Sequence, residues 1–269
     1  IPELFVGINS ALTGTPELAL GNVLGANLLN VTLVIGLTIL ILSVPLGSQR
    51  IAHEAGFIFA LTITPLIFLF DGILSRADGA MLIFIFIAYL CYLFVSSRLP
   101  DSAINDVRPT PAAFREFIKK LFLLFLGTAV LLAASRAVVF AGWSLATSFG
   151  ASPFLMGLIV ISLGTTLPEL TFGIRSALAG RAGMGFGNAI GSVVFNLLFV
   201  LGLVALIQPI AIGSAKSAVF LNLLAVTVIA LILYVTLRLT NSVPRWMGSA
   251  LILAYAALVL ATLRLSMIS

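Results

Sequence analysis

Pro168-Glu169-Leu170-Thr171-Phe172-Gly173-Ile174 answers Pro2-Glu3-Leu4-Phe5-Val6-Gly7-Ile8, and the correspondence runs on. Residues 2–37 match 168–203 at a constant offset of 166 without a gap, with 16 identities in 36 positions. Shared membrane-like composition alone gives about one match in ten. Gly21-Asn22 meets Gly187-Asn188, Gly25 meets Gly191, Asn30 meets Asn196, and Gly36-Leu37 meets Gly202-Leu203. Each copy therefore sets one Glu and one Asn in the same places within an apolar run.

Composition says what solvent surrounds that duplication. Hydrophobic residues make up 61% of the 269 and charged residues 9%, against roughly a quarter charged in a soluble domain. The apolar runs are continuous and near helix-spanning length, which points to an all-α polytopic membrane protein; a membrane barrel would alternate apolar and polar residues. The bilayer is thus the first partner. The single Cys91 excludes a disulfide framework and a cysteine cage for metal, and no bound cofactor is expected. The net charge of +5 is too dispersed to indicate nucleic acid.

Candidate spans are 1–13, 18–44, 52–71, 79–97, 118–148, 153–179, 185–208, 215–237 and 245–265. The first is too short to cross, leaving eight full spans and a partial one. Residues 98–117 are the long polar connector, so 1–97 and 118–269 form the two repeats. Arg98, Arg108, Arg115, Lys119 and Lys120 mark this connector as cytoplasmic. Counting outward puts Arg50, Arg175, Arg181, Arg238 and Arg245 on the same side, only Arg76, Lys216 and Arg264 opposite, and the C-terminus outside. The spans of Glu3 and Glu169 are five apart. Five is odd, so the copies cross in opposite directions and the repeat is inverted, with a pseudo-two-fold axis in the membrane plane.

An ionisable residue at membrane depth is a functional candidate by default. In Gly164-Thr165-Thr166-Leu167-Pro168-Glu169, Pro168 removes a helical hydrogen bond and Gly164 is flexible, so carbonyls around Ser162–Thr165 are predicted to be free. Irregular backbone survives at membrane depth only where it lines a cavity or is packed in protein. With Ser162, Thr165, Thr166 and Glu169 the segment is rich in oxygen, the donor that hard cations prefer. Ser192 and Asn196 share a face four residues apart, and Gly187 and Gly191 permit close helix approach. Ala26 replaces the serine in the first copy. Antiparallel packing brings Glu3, Glu169, Asn30, Asn196, Ser192 and Thr166 toward one mid-membrane site. Asn22 and Asn188 read as fixing the starts of their helices, with Pro2, Pro168, Gly25, Gly191 and Gly164 as structural neighbours. Two carboxylates supply about −2, which one Ca²⁺ or two monovalent cations neutralise, so the occupants are mutually exclusive.

These paired motifs resemble the α-repeats of the sodium/calcium exchanger family, within the cation/calcium antiporters. Gly164 to Glu169, with Gly187-Asn188-Ala189-Ile190-Gly191-Ser192 and Asn196, is similar to one α-repeat. Ile1-Pro2-Glu3 with Gly21 to Asn30 resembles the other. The resemblance covers essentially the whole chain. It implies a ten-helix, five-plus-five inverted fold exchanging Ca²⁺ for Na⁺ by alternating access, in a prokaryotic inner or plasma membrane. The glutamates are then shared cation ligands, hydroxyls and carbonyls complete the sites, and the first and sixth helices slide. Ala26 removes a usual serine ligand. Asn196 stands where some relatives have Asp, which argues against K⁺ co-transport. The partner of Thr166 would fall before Ile1, so a preceding helix and a half is expected to be missing and this chain alone is not expected to transport.

Other readings fare worse. Pro16-Glu17 has no counterpart at Gly183 and reads as a helix start. His53 and Glu54 read as a solvated helix end, and Arg136 has no evident partner. An intramembrane enzyme lacks its Asp pair, H-E-x-x-H or nucleophile with histidine. A channel fits broken inverted repeats less well than alternating access. Ca²⁺/H⁺ exchange through the same two glutamates remains the open alternative.

Overall fold

The computed structural model describes residues 1–42, 44–45, 49–96, 111–240 and 242–268. Helix α1 (Pro2–Leu12) has proline in its first turn, where a missing N–H leaves nothing unpaired. Gly14, at φ 78°, reverses the chain into α2 (Pro16–Leu29), which also begins on proline. A π turn at Asn30–Val34 links α2 to α3 (Ile35–Ile41). After strand β1 (Val44–Pro45) come α4 (Gln49–Phe68), β2 (Ile73–Leu74) and α5 (Arg76–Ser96).

The second half retraces this path. Helix α6 (Pro111–Phe149) leads to a short α7 (Pro153–Leu155), a π turn at Met156–Ile161 and α8 (Ser162–Leu178). Gly180, at φ 75°, repeats the reversal made by Gly14 and starts α9 (Ala182–Val194). A second mid-helix π turn, Phe195–Val200, precedes α10 (Leu201–Ile207) and β3 (Ile210–Ala211). Helix α11 (Lys216–Thr240), β4 (Ser242–Val243) and α12 (Arg245–Ile268) complete the chain.

Among the described residues, six helical stretches are long and apolar enough to cross a membrane. They are Pro16–Ile41, Arg76–Val95, Pro153–Leu178, Ala182–Ile207, Gly213–Thr240 and Arg245–Ser266, with Phe59–Phe68 a shorter apolar helix. This supports a polytopic all-α membrane fold more coarsely than the expected eight and a half spans. The side chains of His53 and Glu54, and all of Arg98 and Arg108, lie outside the described residues. Helix α6 starts at Pro111, inside the stretch read as a polar connector, because proline is well suited to the first helical turn.

The packing is that of an inverted repeat. Helix α3 lies on α12 as α10 lies on α5, α1 lies on α2 as α8 lies on α9, and α4 meets α11 across the centre. Glycines make the contacts close. A Cβ at Gly36 would stand 2.9 Å from the Gly248 carbonyl oxygen, and one at Gly202 would stand 2.8 Å from that of Gly79. Gly7 abuts Val200 and Val204, while Gly173 abuts Val34 and Thr38, the same contact displaced by 166. Two short antiparallel ribbons obey the same symmetry and escaped the sequence reading: Val44 pairs with Val243, and Ile73 with Ala211. Helix α2 is enclosed on all sides; every residue from Pro16 to Leu29 except Glu17 is buried.

In a stripe this tight, overpacking costs about 1–3 kcal/mol. Gly202→Leu and Gly36→Leu are each expected to lower Tm in detergent by several degrees. Gly127→Leu, where an added Cβ meets nothing within 4 Å, should leave it unchanged. Equal melting of all three would show that these glycine seams carry no stability.

Candidate functional site

The two acidic helices, α1 and α8, touch where the halves pack together. Glu3 lies in the first turn of α1 and is 2% exposed. Its repeat mate Glu169 is half-buried on α8, one residue after Pro168. The two carboxylates lie within each other's electrostatic reach. The π turn that opens with Asn30 packs against α8, and the one containing Asn196 packs against α1. Each half thus offers its amide to the other half's acidic helix. A π turn inserts one residue into the helical register, a distortion frequent at functional sites.

Polar satisfaction locates the site more sharply than proximity does. Nine buried side-chain polar atoms have no hydrogen-bond partner among the described residues. Seven belong to Glu3, Asn22, Asn27, Asn30, Thr166 and Glu169, with both amide atoms of Asn30 among them. Such atoms cost about 1–3 kcal/mol each when left unpaired. Together they would rival a typical net stability of about 5–15 kcal/mol. Four are oxygens able to ligate a cation: Glu3 Oε1, Asn30 Oδ1, Thr166 Oγ1 and Glu169 Oε2. The amide nitrogens of Asn22, Asn27 and Asn30 can only donate, to water or to a carboxylate. The other oxygen of Glu3, Oε2, accepts from the Ile1 amine at 3.3 Å.

The hydroxyls divide into two groups. Thr166 Oγ1 is buried and has no hydrogen-bond partner among the described residues. Thr165 Oγ1 instead donates to Asn22 Oδ1 at 3.0 Å, tying α8 to α2. Ser162 Oγ donates to the Leu158 carbonyl and lies against Gly25. In this conformation Thr165 and Ser162 brace the site. The unwound backbone expected over 162–168 is not present: α8 stays helical through Pro168, and the irregularity comes earlier, at the π turn Met156–Ile161. The Leu158 carbonyl accepts from the Ser162 hydroxyl, and the Ser162 carbonyl lies 3.3 Å from Thr165 Oγ1, which shares its one hydrogen between that carbonyl and Asn22 Oδ1.

The two copies differ in how their small residues are covered. Gly21 and Gly25 are pressed against the Phe154 and Leu158 carbonyls, where no Cβ could fit. A Cβ at Gly187 or Gly191 would meet nothing within 4 Å, and Asn188 and Gly191 are exposed. Asn22, read as fixing the start of its helix, is buried within α2 and accepts from Thr165, while Asn188 is exposed. Ser192 is half-buried, while Gly164 and Pro168 are exposed. A largely apolar cavity of about 390 Å³ between α1, α6 and α8 reaches Pro2, Gly164 and Thr165. Arg136 is exposed and borders a different cavity, beside Asn9 and Trp143. The sequence reading missed Asn27, whose Oδ1 accepts from Asn196 Nδ2 at 3.2 Å. Its repeat position is Val193, so a search for duplicated polar residues passes over it.

No group of three or more His, Cys, Asp or Glu gathers among the described residues. Two carboxylates completed by neutral oxygens suit a hard cation that must also leave, since affinity for such ions follows the number of charged ligands. The CaxA protein of Alkalimonas amylolytica is 33% identical over 264 residues, covering 94% of this chain and 81% of CaxA. The crystallised sodium-calcium exchanger NCX_Mj superposes with a TM-score of 0.72 at 21% identity, over 97% of this chain and 82% of its own. The H⁺/Ca²⁺ exchanger CAX superposes at 0.77 with 20% identity, over 99% and 73%. At such identities these likenesses speak for the fold. The sodium/calcium exchanger protein family model matches residues 1–95 and 119–264, and the chain belongs to that family.

Proposed function

We propose that this protein is a secondary active antiporter that exchanges Ca²⁺ for Na⁺ by alternating access. The observation that carries the reading is the concentration of unpartnered oxygens around two carboxylates, one from each inverted half. Glu3 and Glu169 are the charged ligands. Asn30, Asn196 and Thr166 supply neutral oxygens, and Ser192 joins from α9. Thr165, Ser162, Asn22, Pro2, Pro168, Gly25, Gly191, Gly164 and Asn188 shape the surroundings. The charge of about −2 is matched by one Ca²⁺ or by two monovalent cations, and an unmatched charge at mid-membrane costs about 2.5–3.5 kcal/mol on the insertion scale. Exchange follows, because the site must always leave loaded.

H⁺ in place of Na⁺ is a second reading, favoured by Ala26. The first copy lacks the hydroxyl oxygen that its mate Ser192 carries. A Na⁺ ion needs that oxygen, whereas a proton needs only a carboxylate. The proposed topology has eight full spans and a partial first one, repeats at 1–97 and 118–269, a cytoplasmic 98–117 and an outer C-terminus, in a prokaryotic membrane. The relation to CaxA and the excess of Arg and Lys on one side support this.

Helix α6 is the element best suited to move. Its buried contacts form one narrow stripe, Ser135, Val139, Gly142 and Ala146, and most of its other described side chains are exposed. Gly142 lies against Ile161, beside the cavity that reaches Thr165. A helix held by so little apolar area can slide without dismantling the core.

Three outcomes are expected. Ca²⁺ should raise the Tm of the purified protein by binding the folded state; Glu3→Gln and Glu169→Gln should each weaken that effect by about 100-fold, given the cost of one uncompensated charge. In vesicles, Ca²⁺ uptake by the full-length protein should follow an imposed Na⁺ gradient, and uptake driven by a pH gradient alone would select the H⁺ reading. Gly142→Leu should slow exchange while leaving the Ca²⁺ dependence of Tm unchanged. Undiminished Ca²⁺ binding and exchange by Glu169→Gln would sink the proposal.

A further inference from the structure

We infer that Asn27 is a positioning residue that makes the cation site asymmetric by turning the carbonyl oxygen of Asn196, and not its amide nitrogen, toward the site. The inference rests on the functional reading above and adds a residue to it. An asparagine side chain is nearly symmetric in shape but opposite in chemistry at its two ends: Oδ1 ligates a cation and Nδ2 repels it. Which end faces the site is decided by the hydrogen bond that the other end makes. For Asn196 that bond is visible. Its Nδ2 donates to Asn27 Oδ1 at 3.2 Å, between two side chains 169 residues apart and both fully or almost fully buried. With the nitrogen held there, Oδ1, on the other branch of the amide, is directed away from Asn27.

The repeat supplies the control. Asn30 is the mate of Asn196, and the mate of Asn27 is Val193, which cannot accept a hydrogen bond. Both amide atoms of Asn30 are accordingly buried and unpartnered. One asparagine is therefore fixed with its oxygen presented, and the other can turn to suit its occupant. A cation meets a preset oxygen on the side of α9–α10 and an adjustable one on the side of α2–α3. Asn27 touches no cation in this scheme. It acts through Asn196, as the groups behind metal ligands do when they fix ligand orientation.

The test uses Ca²⁺ as the probe, with affinity read from the dependence of Tm on Ca²⁺ concentration. Asn27→Val gives the first copy the residue of the second and should weaken apparent Ca²⁺ affinity by about 10–100-fold. In an Asn196→Asp background both ends of the side chain are oxygens, so orientation no longer matters and Asn27→Val should carry no such penalty. An equal penalty in the two backgrounds would mean that Asn27 only fills space, and would overturn the inference. Asn27→Asp keeps an acceptor for Asn196 and should bind Ca²⁺ at least as tightly as wild type. Should Asn27→Val fail to fold, weakened binding by Asn27→Asp would be the overturning result. Wild-type protein that binds Ca²⁺ alongside an unaffected Asn27→Val removes this inference alone. Wild-type protein that shows no Ca²⁺ effect removes the functional reading and this inference with it.

Discussion

Two carboxylates placed within each other's field, away from bulk water, set the terms for the rest of the molecule. Glu3 is 2% exposed and Glu169 is half-buried beside it. Charges so placed are tolerated only when paired or ligated. Neither finds a basic side chain among the described residues. In the proposed reading compensation comes from mobile cations, which the neutral amides and hydroxyls around the pair would help to hold. A site so built would not empty without a replacement, which is what an exchanger needs and a leak lacks.

The surrounding helices divide into parts that must not move and parts that can. The glycine seams at Gly36–Gly248 and Gly79–Gly202 bring backbones into contact, leaving no room for sliding. Helix α2, enclosed along its length, forms the fixed wall that carries Asn22, Asn27 and, at its end, Asn30. The Thr165–Asn22 bond locks α8 to this wall. Helix α6 is tied to α1 by Asn9 Nδ2 donating to Ser135 Oγ, and most of its other described side chains are exposed. The contrast is one of packing density: interlocked small residues resist displacement, and a single stripe of side chains resists it weakly.

Much of this was legible because duplication is a sequence property. Glu3 and Glu169, Asn30 and Asn196, and the paired glycines stood out by recurrence, and an odd separation of five spans made the repeat inverted. What recurrence cannot show is which end of a polar group is in use. Ser162 and Thr165 read as ligands by composition; the structure adds that their hydroxyls donate to Leu158, Ser162 and Asn22, which recurrence gives no sign of. Pro168 read as a break, whereas the helix absorbs it and shifts the irregularity into a π turn whose residues, Met156–Ile161, carry no compositional mark. Asn27 was missed for the opposite reason, having no polar counterpart. The ribbons were invisible because two-residue strands have no periodicity to detect, and their partners lie in the other half of the chain.

Those ribbons bear on how such a molecule is put together. β1 follows α3 and pairs with β4, which follows α11; β3 follows α10 and pairs with β2, which follows α4. Each half lends one strand to the other on either face of the bundle, and neither ribbon is internal to a half. Were the halves separate chains, this would be an isologous contact, with patch i of one subunit on patch j of its twin and the reverse. The topology is that of a closed two-fold dimer spliced into a single polypeptide. A half expressed alone would expose two unpaired strand edges and half of every glycine seam. Its most natural partner would be a second copy of itself inserted in the opposite orientation.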